Sequence, residues 1–281
     1  MKPQVDIEVY IQEYTQDDTI AKYISKTAGD GIAYVLHHVY APVYRRVIRE
    51  LMSIRPKGHR FRVMEYGCGG GMNLLKLVQL LQQEGALLDR GYGLDFSPPM
   101  IEAARKEAEI HVSADLYSKL TYAVAGNENL AEDLCRDLGV KRQDLDGTFD
   151  IIIGVNTTRY AHRLKRENEL SQDIRDLLRP GGQTVMIDMN RHFPLFRSRL
   201  REKPVGQRGD ETYIPSLTEY TRPFKTAGFE ISESRNFCWI PHSANPRLLT
   251  ACRTAAPILN LVASPFAMRS LVVGRKSANA K

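Results

Sequence analysis

The four cysteines among 281 residues, Cys68, Cys135, Cys238 and Cys252, form no C-x-x-C pair and no tight group with histidine. That excludes a disulfide framework and the ligand spacing of a structural zinc site, and points to reduced cytosol. No apolar run reaches the ~18 residues of a membrane span, and no positively charged leader with an apolar core opens the chain. A cytoplasmic, unexported chain is expected. Internal repeats and low-complexity tracts are missing as well. At this length one large α/β domain with a cap suffices to bury a core.

One further absence bears on the nucleotide. Arg62-Val63-Met64-Glu65-Tyr66-Gly67-Cys68-Gly69-Gly70-Gly71-Met72-Asn73-Leu74-Leu75 reads as a strand, a glycine turn and the start of a helix. Residues without a Cβ let a ligand lie against bare backbone, and the helix start offers unpaired N–H groups. A dinucleotide fingerprint, G-x-G-x-x-G, would need a third glycine where Met72 stands. The glycines follow G-x-G-x-G instead. Glu65, two residues before the first of them, would repel a pyrophosphate and suits a cationic ligand. A second acidic strand end, Gly91-Tyr92-Gly93-Leu94-Asp95-Phe96, places another carboxylate beside the same crevice.

Charge is unevenly spread. Residues 1–158 carry 18 Lys and Arg against 22 Asp and Glu, and residues 159–281 carry 21 against 11, giving −4 and +10. The excess lies in Arg159–Arg166 and Arg191–Lys203, after the fourth and fifth expected strands, near the face where open α/β sheets bind ligands. A basic face of this kind attracts an anionic acceptor, a carboxylate or phosphate, or is a solvated rim without a partner. Nucleic acid is the disfavoured partner, because no RNA-binding module accompanies the charge. The oligomeric state stays open, a homodimer included.

The strand-acid-glycine pattern resembles class I S-adenosylmethionine-dependent methyltransferases, of the type that acts on small molecules. Asp95-Phe96-Ser97-Pro98-Pro99-Met100 looks like that family's second-strand segment. Ala125-Gly126-Asn127-Glu128-Asn129-Leu130 is similar to its third-strand exit, with Asn127 where aspartate is commoner. Phe149–Asn156 fits the fourth strand, Leu177-Leu178-Arg179-Pro180-Gly181-Gly182 the turn before the fifth, and Phe224–Ile231 the passage into the sixth.

The resemblance implies a Rossmann-like, doubly wound α/β fold with a seven-stranded sheet of order 3-2-1-4-5-7-6. It divides the chain into an N-terminal helical cap or lid, 1–58, and a donor-binding domain, 59–276. Alternating strands and helices from Arg60 onward agree with a mainly parallel sheet. Strands are expected at 61–66, 90–95, 120–125, 148–155, 182–189, 230–240 and 268–275, and helices at 72–84, 98–109, 128–138, 165–178, 216–227 and 246–262. Before them, Ile32, Val35, Leu36, Val39, Val43, Val47 and Leu51 recur at helical spacing, and Pro42 is expected to kink or divide that segment.

The cofactor implied is S-adenosyl-L-methionine. Asp95 would accept hydrogen bonds from the ribose hydroxyls, Phe96 would pack on adenine, and Asn127 with Glu128 would meet its edge. Glu65, Gly67, Gly69, Gly71 and the backbone near Asn156 would hold the methionine end. Cys68 lies within that turn and fits there as a small residue. Tyr14 and Tyr23, in the cap, are candidates for donor contact. His162 is the candidate base and Tyr160 would orient the acceptor, although relatives more often carry adjacent histidines there, so the register is open. Arg159 could bind an anionic acceptor, with His37, His38 and His192 in reserve. No compact carboxylate set suggests a metal, and metal-independent transfer is expected. The competing readings are a catalytically silent donor-binding partner, an RNA methyltransferase and a nicotinamide-dependent oxidoreductase.

Overall fold

The computed structural model describes residues 29–126, 129–158, 161, 165–195 and 214–278. Strands β1 (Arg60–Tyr66), β2 (Leu87–Asp95), β3 (Leu120–Val124), β4 (Phe149–Val155), β5 (Leu178–Met189), β6 (Glu230–Phe237) and β7 (Arg269–Arg275) form one sheet in the order β3-β2-β1-β4-β5-β7-β6. β7 runs antiparallel between β5 and β6, and the other pairs are parallel. The expected order is the observed one. Its direction reverses between β1 and β4, and the crevice beyond the carboxyl ends of such a pair is where open α/β sheets bind ligands.

The α-helices described are α1 (Asp30–Val35), α2 (Ala41–Ile54), α3 (Met72–Gln83), α4 (Pro98–His111), α5 (Ala114–Tyr117), α6 (Leu130–Leu138), α7 (Glu167–Leu177), α8 (Leu217–Thr226) and α9 (Pro246–Val262). Successive residues of a strand face opposite sides of the sheet. Val63, Ile151 and Val185 therefore join Leu51, Leu77 and Ala104 from α2, α3 and α4 in one core. Their neighbours Met64, Ile152 and Met186 join Leu134, Ile174 and Phe224 from α6, α7 and α8 in the other. Each aliphatic side chain buried this fully contributes ~1.5–3 kcal/mol.

The described part of the N-terminal segment shares the first of these cores. Val43, Tyr44, Val47, Ile48 and Leu51 form the buried stripe of α2. Pro42 neither breaks nor separates the helix. It is the second residue of α2, and a π-helical turn, Leu36–Tyr40, joins α1 to α2 directly ahead of it, where the proline has no N–H to donate to the preceding turn. Such turns are rare and concentrate at functional sites.

Two further differences from expectation are local. β5 begins at Leu178 rather than 182, carrying Pro180-Gly181-Gly182 inside the strand, and the pairing shifts register between Phe149 and Ile151. Short α5 falls between the expected helix at 98–109 and strand at 120–125; Ser113 caps it, accepting from Leu116 N–H. None of the α9 residues is buried. No helix among the described residues is long and apolar enough to cross a membrane.

Candidate functional site

The glycine turn leaves β1 at Tyr66 and enters α3 at Met72. Gly67, Gly69 and Gly71 all take positive φ, at 60°, 51° and 78°, a region that costs other residues steric strain. Gly67 is also required by packing: a Cβ there would lie 2.1 Å from Thr157 Cγ2, just beyond β4. The bare backbone at this position is thus filled by the neighbouring loop, whereas a Cβ at Gly70 would meet nothing within 4 Å. Cys68 N–H donates to the Leu94 carbonyl at 2.8 Å, tying the turn to the end of β2.

Two buried carboxylates hold this turn from either side. Glu65, 1% exposed, accepts from Leu74 N–H at 2.8 Å and from Asn73 Nδ2 at 3.1 Å, so it satisfies an orphan donor in the first turn of α3. Tyr44 O–H in turn donates to Asn73 Oδ1. Burial pushes the Glu65 carboxyl up to about 8 against these two hydrogen bonds, with the nearby Asp95 charge adding to the rise. Asp95 accepts from Gly69 N–H at 2.9 Å and Ser97 N–H at 3.0 Å. Burial raises its carboxyl too, opposed by backbone donors at Ser97, Gly69 and Phe96. Ser97 Oγ caps α4, accepting from Met100 N–H, with Pro98 and Pro99 in its first turn.

Ile32, Leu36 and Tyr40 close over the turn from the cover. Beneath them lies a cavity of about 50 Å³ bounded by Glu65, Gly67, Cys68, Gly70 and Asn73, by Val155 and Asn156 of the β4 exit, and by His242. At ~10–15 Å³ of such space per water, that is room for a few waters. Asn156 sits at φ 60°. Its N–H donates to the Ile187 carbonyl, and its Oδ1 accepts from Arg269 Nη1 at 2.5 Å. Tyr40 Oη lies 3.2 Å from His242 Nε2.

A family model described as a methyltransferase domain matches residues 35–234. The chain belongs to this methyltransferase family. Polyketide synthase 19 of Gibberella fujikuroi is 28% identical over 229 residues, which are 78% of this chain and 8% of that protein. The chain thus spans under a tenth of the length of this relative. Among solved structures, the CMeT domain of citrinin polyketide synthase superposes with a TM-score of 0.58 at 16% identity, over 93% of this chain and 57% of that one. An S-adenosylmethionine-dependent methyltransferase from Mesorhizobium loti gives 0.51 at 18%, over 81% and 96%. The fold is that of class I S-adenosylmethionine-dependent methyltransferases.

In this chain the structure gathers Glu65, Gly67, Cys68 and Asn156 around one cavity. Gly69, Gly71 and Asp95 build its glycine turn, and Phe96 lies half-buried just past β2. Cys68 is a buried thiol raised well above its ordinary range by burial and by the Asp95 and Glu65 charges. His37 and His38 are exposed on the outside of the cover, His37 Nδ1 being 2.8 Å from Lys76 Nζ. His192 is also exposed. Tyr14, Tyr23, Asn127, Glu128, Arg159, Tyr160 and His162 lie outside the described residues. Of the basic run after β5, Arg191 is engaged by the Ile214 carbonyl and Glu219.

Tyr40, His242 and Arg269 were not legible as site residues. Nothing in their local spacing marks them: Tyr40 and His242 meet across 202 positions of sequence, and Arg269 reaches the β4 exit only through the pairing of β7 with β5. Among the described residues, no group of three or more His, Cys, Asp or Glu could hold a metal ion.

Proposed function

We propose that this methyltransferase transfers the methyl group of S-adenosyl-L-methionine to a small-molecule acceptor in specialised metabolism. The observation that carries the donor assignment is the pair of buried carboxylates, Glu65 and Asp95, on adjacent strand ends around one glycine turn. The likeness to polyketide synthases supports the acceptor class. When bound, the donor supplies a methyl already activated on a sulfonium, so the protein's task is positioning and water exclusion. Asp95 would take the ribose and Phe96 the adenine face, with Asn127 and Glu128 at its edge. Glu65, the turn at Gly67 to Gly71 and Asn156 would take the methionine end. His162, Tyr160 and Arg159 remain the proposed acceptor-side residues, and Ile32, Leu36 and Tyr40 would shield the site from water.

Calorimetry with S-adenosyl-L-methionine and NADH side by side tests the donor, and formation of S-adenosylhomocysteine over a panel of small phenols, amines and carbon acids tests turnover. Binding of NADH alone would overturn the proposal. Donor binding without product from any acceptor would favour the silent binding partner.

The Glu65 carboxyl adds a prediction about protons. With its folded value raised from 4.5 to about 8, it is mostly neutral at pH 7. Its contribution to stability is full below about 4.5 and is lost as pH rises to about 8. An ammonium group arriving beside it favours the ionised form. Donor binding at pH 7 should therefore release most of one proton, seen as a binding heat that varies with buffer ionisation enthalpy. A heat independent of buffer would remove Glu65 from the ammonium contact.

A further inference from the structure

A second hollow, an open groove of about 650 Å³, lies on the outer side of the cover, bounded by α2, by β6 and its exit, and by α9. That volume is in the range of small-molecule sites. The groove shares no lining residue with the cavity over the glycine turn. Between them stands a ring contact, Tyr40 on the cavity side against Phe237 on the groove side, with centroids 6.1 Å apart. α9 closes the far side although none of its residues is buried, so the protein's own side chains leave this space open.

Three guanidinium groups line the groove, Arg46 from α2, Arg235 from β6 and Arg253 from α9, against one carboxylate, Glu233. Three cations and one anion leave +2. Glu233 pairs with both Arg46 and Arg235. Arg253 forms no ion pair among the described residues, and its guanidinium lies 4.7 Å from the Tyr34 ring centroid. No acidic residue follows Glu233 in the sequence, so neither α9 nor β7 supplies an anion here.

Aromatic surface lies between these charges. Tyr34 and Trp239 are half-buried on the groove wall, and the indole N–H of Trp239 donates to Asn260 Oδ1 of α9 at 2.8 Å. The Arg235 guanidinium sits over Phe237, 5.1 Å from its centroid. A guanidinium over a ring is held by the ring's negative face and keeps its in-plane N–H donors for a carboxylate. A flat apolar body with one anionic edge matches such walls.

We propose that this groove binds a planar aromatic carboxylate, its ring against Tyr34 and Trp239 and its carboxylate on Arg253, at a site separate from methyl transfer. The bound acid ties α9 to the cover. Arg46 and Arg235, each shared with Glu233, add to the field that attracts it.

Trp239 is the sole tryptophan of the chain, so its emission reports this groove directly. The test titrates the full chain, without donor, with biphenyl-4-carboxylate and with its neutral primary amide, by calorimetry and by Trp239 emission. The acid should bind with a change in emission, and the amide more weakly. Arg253→Gln should weaken the acid by about fivefold or more, the scale of one lost hydrogen bond, and leave the amide within about twofold. Tyr34→Leu should weaken both probes. Asp95→Ala, which alters the glycine turn, should leave both within about twofold. Equal affinity of wild type for acid and amide, heat without a change in Trp239 emission, or a loss in Asp95→Ala matching that in Arg253→Gln would each overturn the assignment, as would the absence of binding. The donor reading stands or falls separately, since no titration contains the donor.

Discussion

Asp95→Ala should weaken S-adenosyl-L-methionine binding by at least tenfold, the scale of losing hydrogen bonds from a desolvated charged group. The ligand-free geometry makes the expected loss larger than a missing ribose contact alone. Asp95 accepts from Gly69 N–H and Ser97 N–H and so fixes the glycine turn to the start of α4. Alanine leaves both N–H groups without that acceptor in a buried place. Asparagine is no conservative replacement, since one of its termini would present a donor to one of these donors. Asp95→Asn should therefore lose nearly as much affinity as Asp95→Ala, measured by calorimetry on variants whose thermal transition is retained. Affinity within threefold of wild type in either variant would remove Asp95 from the donor site.

The same pair of bonds explains how far the site could be read from sequence. Glu65 and Asp95 were visible because an acid at a strand end beside a glycine turn is a local pattern. Their present partners were not visible, since each carboxylate spans between elements: Glu65 reaches the first turn of α3, and Asp95 reaches back 26 residues to Gly69. Strand order was legible because six local landmarks arrive in sequence, each made by the residues that end a strand or open a helix. The π-helical turn at Leu36–Tyr40 was not, because Pro42 signals a disturbed helix without saying whether the chain breaks or widens. Arg269 shows the limit most plainly. In sequence it is the polar first residue of an apolar strand, and only β7 pairing between β5 and β6 brings it to Asn156.

The opposite end of the strands, at the start of β4, carries the other large expected effect. Asp150, fully buried in β4, lies 3.1 Å from Arg55 Nε, 3.0 Å from His59 Nε2 and 3.3 Å from Arg179 Nε. Its second oxygen accepts from Arg62 N–H at 3.0 Å. One carboxylate thus gathers the residue after α2, the approach to β1, β1 itself and the start of β5. Asp150→Ala would leave two guanidinium groups facing each other without an anion, and removing one partner of a buried pair costs ~3–5 kcal/mol. At roughly 2–4 °C per kcal/mol for a domain of about this size, Tm should fall by on the order of 10 °C. The site at the carboxyl ends of the strands depends on β1 and β4 only for those ends, so S-adenosylhomocysteine affinity below the transition should change by less than about threefold, on the view that distant sites contribute independently. Scanning calorimetry and titration on the same variant separate these effects. A Tm within a few degrees of wild type would mean that water, and not Asp150, balances the two arginines. A comparable loss in affinity would mean that the β1–β4 register, set at this end, is what holds the glycine turn open at the other.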